Sequence, residues 1–133
     1  MDGSWVKVHR KLLDSPLMKH AGLARLWLYC LLTANWKDAR WLVPGTTNEI
    51  SVPRGSFITG RHSLHAKLYG AEYSGDKNEI PSELTLWRWL KGLEKMGCVS
   101  VSNMNNRCSM VTICKYSTYQ KRDEPKCTTD EQP

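Results

Sequence analysis

The chain has 133 residues, of which 41% are hydrophobic and 24% charged, and its formal net charge is +6. This length and composition predict one globular domain that buries a core without disulfides, and the absence of any run of roughly 18 apolar residues argues against a membrane-spanning protein. The first residues also lack the basic start and apolar run of a signal peptide, so we expect a cytoplasmic protein without a membrane partner.

Cysteine and histidine usage predicts no metal site. The five cysteines are odd in number and never form a C-x-x-C pair, and of the four histidines only His62 and His65 lie close together in the sequence. Zinc sites and disulfide frameworks both need paired, regularly spaced ligands. We therefore expect reduced cysteines that pack as small hydrophobic residues.

The N-terminal third is expected to contain one dominant helix. Alternation of apolar and polar residues over Trp5–His9 predicts a short strand, and a short helix or two turns should follow between Arg10 and Lys19. Ala21–Asn35 predicts the clearest helix of the chain, because Ala and Leu dominate it and apolar residues extend nearly all round its surface. Such a helix is expected either at the centre of the core or in contact with a partner.

Short strands and turns are expected in the middle of the chain. Trp36–Val43 predicts a turn and a strand, and Glu49–Pro53 a strand at a sheet edge, because a proline nitrogen cannot donate to a strand ladder. Arg54–Gly60 predicts a further turn and strand, and Ser63–Tyr69 a second helix. The polar Ala71–Pro81 segment is expected to form a surface loop with several acidic residues.

A third helix should begin at the N-cap residue Ser82 and end at Gly97. At about 100° per residue, its core side should hold Leu86, Leu90, Leu93 and Met96, and its outward side Leu84, Arg88, Lys91 and Lys95. The two tryptophans, Trp87 and Trp89, fall on its flanks. There we expect them to pack at the core edge, with stacking on unpaired bases as the less favoured alternative.

The C-terminal third predicts a β-hairpin followed by a polar tail. Val99 and Val101 alternate with serines, Val111 and Ile113 alternate with polar residues or cysteine, and turn-forming residues lie between the two runs. We expect residues 1–120 to form the domain and residues 121–133 to be a disordered tail or linker.

The order of these elements is the plan of a winged helix-turn-helix. The predicted fold class is therefore α+β, with three or four helices, a C-terminal β-hairpin wing and a short additional N-terminal or central strand. Between Leu84 and Arg122 the chain carries seven basic residues and one acidic residue. A concentration of positive charge on the third helix and the wing is typical of proteins that bind nucleic acids.

Five residues are predicted to contact double-stranded DNA. Arg88 suits a guanine edge because a guanidinium can donate two hydrogen bonds to O6 and N7, while Lys91 and Lys95 suit phosphates. Thr85 is expected to contact a base or a phosphate at the start of the helix. Arg107, at the tip of the wing, should contact a phosphate or enter a minor groove.

Several segments, in order along the chain, resemble the winged-helix domain of phage and bacterial replication-initiation proteins, the replisome organisers related to DnaD. They are WVKVHRKLLDSP at 5–16, LW at 26–27, LLTAN at 31–35, KD at 37–38, RGSFITG at 54–60, WRWLKGLEKMG at 87–97 and VTICKYSTYQ at 111–120. The resemblance implies binding at a replication origin or operator, often with self-association, and it matches Arg88, Lys91 and Lys95 to recognition-helix positions. Ala71–Pro81 is longer than the family pattern.

No constellation of catalytic residues or phosphate-cradling glycine loop is recognisable, so we expect neither an enzyme nor a cofactor. The predicted function is sequence-specific binding of double-stranded DNA, in phage or bacterial replication initiation. The alternatives are a transcriptional regulator, or a protein-interaction or oligomerisation module of a replisome. Such a module would self-associate through Ala21–Asn35 or bind replisome proteins.

Overall fold

The computed structural model describes residues 6–43, 45–104, 108–114 and 116. Within these ranges the chain has an α+β fold with three α-helices and two small antiparallel sheets. The helices are α1 (Ala21–Thr33), α2 (Arg61–Tyr69) and α3 (Glu83–Lys95), and the strands are β1 (Ala39–Leu42), β2 (Glu49–Val52), β3 (Ser56–Thr59), β4 (Val99–Asn103) and β5 (Ser109–Ile113). Short 3-10 helices cover Arg10–Asp14, Pro16–Lys19 and Lys77–Glu79.

The larger sheet connects the middle of the chain to its C-terminal hairpin. Its strand order is β3-β5-β4, so β5 pairs on one side with its hairpin partner β4 and on the other with β3, which precedes α2. The hydroxyls of Ser56 and Thr112 are 2.8 Å apart across the β3–β5 pair. β3 leads into α2, and β4 follows α3. The sheet therefore fixes the start of α2 and the end of α3 relative to each other.

The core lies between the helices and the larger sheet. α3 buries Leu86, Leu90 and Leu93, and α1 buries Leu26 and Cys30 in the same cluster. β5 contributes Val111 and Ile113, which are also fully enclosed. Truncating a leucine of this kind to alanine typically costs about 2 to 5 kcal/mol, so the cluster holds α3 firmly on its inner side.

The packing of α1 against α3 depends on a small residue. At Gly22 an added Cβ would lie 2.4 Å from the ring of Trp89, which is too close for any side chain. His20, whose Nδ1 accepts the Leu23 backbone N–H at the start of α1, also meets the Trp89 ring edge-on at 4.8 Å. Trp89 is therefore half-buried against the beginning of α1.

A tight helix end directs the chain from α3 into the hairpin. Gly97 has φ +82°, the backbone N–H of Gly97 donates to the Glu94 carbonyl at 3.0 Å, and that of Cys98 donates to the Leu93 carbonyl at 2.9 Å. These two bonds form the Schellman arrangement, for which glycine is favoured because it adopts positive φ without strain. The direction of β4 relative to α3 is thus set locally.

Two predictions about local structure were wrong. Trp5 lies outside the described residues, and residues 6–9 form no strand, because the Nδ1 of His9 accepts the Lys11 N–H and caps the 3-10 helix that follows. Met96 is 41% exposed and does not join the core, since it is the C-cap residue, one position beyond the last residue of α3. The expected tail at residues 121–133 lies outside the described residues.

The other predicted elements are confirmed with shifted ends. α1 ends at Thr33, two residues earlier than expected, and α2 begins at Arg61, two residues earlier than expected. The edge strand predicted at Glu49–Pro53 is β2, which ends at Val52 and pairs with β1 in a separate two-stranded sheet.

Candidate nucleic-acid interface

The outward side of α3 carries the cations that the sequence places there. Arg88, Lys91 and Lys95 are exposed, and Leu84, near the start of the helix, is 46% exposed. Ser82 fixes the helix start, since its Oγ accepts the Thr85 N–H at 3.1 Å. The cations therefore project from a helix that is capped at both ends and anchored by three buried leucines.

A surface groove of about 1100 Å³ runs between α3 and the β4–β5 hairpin, with the start of α2 at one end. α3 contributes Leu84, Arg88 and Lys91 to it, and the hairpin contributes Val101, Asn103 and Ser109. The start of α2 adds Arg61, His62 and Ser63. The groove therefore combines basic side chains with hydrogen-bonding groups from three elements.

The cations of the groove differ in how strongly their neighbours hold them. Within the described ranges Arg88 makes no hydrogen bond or ion pair, whereas the Lys91 ammonium lies 3.0 Å from the Glu94 carboxylate. The Arg61 guanidinium lies over the Trp87 ring, 5.9 Å from its centroid. Of the two groove arginines, Arg88 is thus the more available to a ligand, whereas Arg61 is held over the ring of Trp87.

Two carboxylates link the walls of the groove. The second oxygen of Glu94 accepts the Val101 backbone N–H of β4 at 3.0 Å, and this bond, with the hydrogen bond from Lys91, lowers the pKa of Glu94 below its ordinary value of 4.5. Glu83 at the start of α3 lies 3.0 Å from the Nδ1 of His62 on α2. Glu94 therefore joins α3 to the hairpin, and Glu83 joins α3 to α2.

The structure brings together two of the five predicted contact residues. Arg88 and Lys91 line the groove, whereas Lys95 is exposed one turn further along α3, beyond the lining residues. Thr85 is half-buried on the other flank of the helix, where its Oγ1 accepts a hydrogen bond from the Ser82 hydroxyl at 3.0 Å. Arg107 lies outside the described residues.

The groove also contains residues that the sequence did not point to. Arg61 and Ser63 belong to α2, and Asn103 to the end of β4. Their position depends on how α2 packs beside α3, which no local pattern reveals. Arg61 also preceded the helix predicted from Ser63, so the sequence did not place it on that helix.

The buried thiols are poor candidates for chemistry. Burial, together with the neighbouring Cys98, raises the pKa of Cys30 to about 12, and burial also raises the pKa of Cys98. A thiol must ionise to act as a nucleophile or a metal ligand. Because the raised pKa keeps Cys30 and Cys98 protonated, these residues are better suited to packing. Across the ranges that the structure describes, no three His, Cys, Asp or Glu residues are grouped so that they could hold a metal ion.

Comparisons of the chain with protein-family models, with curated proteins and with solved structures gave no match. None of the described helices is both long and apolar enough to cross a membrane.

Proposed function

We propose that this chain is a winged-helix module that binds double-stranded DNA, with α3 in the major groove and the β4–β5 hairpin beside it as the wing. The observation that carries the proposal is the basic groove in which Arg88 and Lys91 of α3 face the hairpin. The order α1, β3, α2, α3, β4, β5 and the strand order β3-β5-β4 support it, because this topology presents a third helix beside a C-terminal hairpin.

The dimensions of α3 suit such a contact. Its 13 residues extend about 20 Å at 1.5 Å per residue, and the major groove of B-DNA is about 12 Å wide, enough to admit an α-helix. Arg88 is free to donate two hydrogen bonds to a guanine, whereas Lys91 and Lys95, as flexible point charges, suit phosphates. In this proposal Arg88 confers base preference, and the two lysines mainly confer affinity.

The biological setting proposed is the initiation of DNA replication in a phage or a bacterium. It is supported by the sequence resemblance to replisome organisers. A transcriptional regulator would use the same surface. The chemical prediction, binding of duplex DNA through α3, is common to both.

An Arg88→Ala variant tests the proposal. Specific duplex affinity should fall by about 1 to 3 kcal/mol, because the hydrogen bonds to one base pair are lost, whereas Lys95→Ala should reduce the salt dependence of binding by about one phosphate contact. Fluorescence anisotropy against a duplex selected from a random pool, at several salt concentrations, measures both effects.

Arg40→Ala is the matched control for this titration. Arg40 is an exposed arginine on β1 that pairs with Glu49 at 2.8 Å, and it does not line the groove. Its loss should leave duplex affinity nearly unchanged. If Arg88→Ala and Arg40→Ala bind as tightly as the unaltered chain, α3 is not the DNA-binding element.

The second candidate function is a protein-interaction or self-association module. It is favoured by Leu28 and Leu32, which lie one turn apart on α1 and are both exposed, Leu32 by 65%. Because α1 does not depend on the groove cations, this function predicts no effect of Arg88→Ala on any partner bound through α1. Sedimentation of the unaltered chain tests this second candidate, and a monomer without a bound partner would count against it.

A further inference from the structure

Leu84 is an apolar side chain displayed within a polar groove. It is the second residue of α3, it is 46% exposed, and it lines the groove together with Arg88, one helical turn further along. The other α3 residues that face this groove are Glu83, Trp87, Arg88 and Lys91, and the hairpin and α2 add mainly polar groups. Leu84 is therefore an apolar group that a ligand entering this groove could contact.

The fold does not require a leucine there. The core positions of α3 are Leu86, Leu90 and Leu93, and the first of them is about 160° from Leu84 around the helix. The N-cap bonds are made by Ser82 with the backbone and hydroxyl of Thr85. A polar residue at position 84 would satisfy both the helix and the core.

We propose that Leu84 reads the C5-methyl group of a thymine in the major groove, beside the guanine contacted by Arg88. This inference rests on the proposed DNA-binding function. The thymine methyl is the apolar group that standard base pairs display on their major-groove edges, and apolar side chains recognise it by contact. Leucine has no hydrogen-bonding group, so a methyl is the base feature that it can distinguish.

The spacing of the two residues sets the spacing of the two bases. Leu84 and Arg88 are four residues apart, which is about 6 Å along the helix axis, and stacked base pairs are about 3.4 Å apart. The N-terminal part of a recognition helix is also the part that reaches base edges. The preferred site should therefore contain a T·A pair within about two base pairs of a G·C pair.

Removal of a single methyl group from the DNA tests the inference. A binding site is first selected from a random duplex pool with the full chain, and each thymine near the selected guanine is then replaced by deoxyuridine, which lacks only the C5-methyl. One replacement should weaken binding by the unaltered chain about fourfold, the effect expected for one buried methyl or methylene group of about 0.8 kcal/mol. The same replacement should leave the duplex affinity of Leu84→Ala unchanged, because that variant no longer contacts the methyl group.

Two further variants make the result specific. Met96→Ala removes another exposed apolar side chain of the α3 region, 41% exposed and outside the groove lining, and should keep the full response to deoxyuridine. Leu84→Gln keeps the length of the side chain but should lose the response, so the outcome does not depend on one variant being folded. Thermal unfolding followed by circular dichroism shows whether each variant is folded.

The possible outcomes separate this inference from the function on which it rests. Three results would overturn the role of Leu84 and leave DNA binding in place. They are a selected site without a thymine near the guanine, a selected site in which deoxyuridine has no effect, and an equal deoxyuridine effect in Leu84→Ala. Failure of the unaltered chain to bind any duplex overturns both. A fourfold methyl effect confined to chains that retain Leu84 establishes the thymine contact.

Discussion

At the scale of single residues, Glu94 connects α3 both to the hairpin and to Lys91. One carboxylate oxygen accepts the Val101 N–H and the other faces Lys91, so the same side chain positions the hairpin and restrains a cation. It is also the acidic residue in the basic segment from Leu84 to Arg122. Its two contacts give this carboxylate a structural role between α3 and β4.

The stability contributed by Glu94 should depend on pH. Because its pKa is lowered in the folded chain, its contribution is present above the ordinary value of 4.5 and is lost as the pH falls through the lowered value. Glu94→Gln keeps an oxygen for the Val101 N–H but has no charge. We expect the unaltered chain to lose about 0.5 to 1 kcal/mol more than Glu94→Gln between pH 6 and pH 3, a small effect because the pair is partly exposed to solvent.

Urea unfolding at the two pH values measures this difference, with Glu94→Ala as the variant that removes both interactions. Glu94→Ala should be the least stable of the three at pH 6. An equal loss of stability on acidification in the unaltered chain and in Glu94→Gln would show that Glu94 does not contribute to the acid response.

At the scale of elements, the long connection between α2 and α3 is held by aromatic and cationic contacts. Arg25 of α1 lies over the rings of Tyr69 and Tyr73, 4.6 and 4.9 Å from their centroids, and its guanidinium donates to the Leu68 carbonyl at 2.5 Å. The Nε2 of His65 also lies 2.8 Å from the Pro81 carbonyl oxygen. Both ends of the segment from Ala71 to Pro81 are thus tied to the helices.

Arg25→Ala should therefore destabilise the fold. The loss of one hydrogen bond and of the stacking on two rings predicts a decrease of about 1 to 2 kcal/mol in the free energy of unfolding. Arg25→Lys should recover only part of it, because an ammonium lacks the planar face that stacks on both rings. The midpoint of urea unfolding measures the change, and the exposed Arg10→Ala serves as control. A midpoint equal to that of the control would mean that these contacts add no stability.

The sequence predicts those elements whose signals are local. The start of α3 follows from the Ser82 cap and its end from Gly97, and both depend on residues within one helical turn of the boundary. The predicted N-terminal strand is wrong because alternation over five residues is a weak pattern, and the His9 side chain instead caps the 3-10 helix that follows. Met96 was misplaced because the helical periodicity was extended past Lys95, where α3 itself ends.

The composition of the groove was only partly predictable for a related reason. Arg88 and Lys91 share one helix, so their common direction follows from 100° per residue. Arg61 is 27 positions before Arg88, and only the packing of α2 beside α3 brings it to the same groove. Thr85 shows the opposite case, since its position at the start of the helix suggested a contact, but Thr85 does not line the groove and is half-buried on the other flank of α3.

At the scale of the whole molecule, the proposed binding of duplex DNA depends on shape as well as on charge. The exposed cations of α3 lie on the outer side of a helix whose inner side is packed in the core. A polyanion of any kind would be attracted by the net charge of +6. Insertion of a helix, in contrast, requires a groove wide enough to receive it.

This distinction yields a prediction about duplex type. The major groove of A-form RNA is deep and narrow, so α3 cannot reach its base edges, whereas B-DNA admits a helix. At equal length and salt, duplex DNA containing the selected site should compete at least about tenfold better than duplex RNA of the same sequence. Arg88→Ala should reduce that preference, because it removes a base contact that contributes about 1 to 3 kcal/mol to specific binding. Competition anisotropy with DNA duplex, RNA duplex and single-stranded DNA measures the ranking. Equal competition by all three would mean that the cations act only through their charge, and tighter binding of the single strand would favour stacking on the tryptophans over insertion of α3.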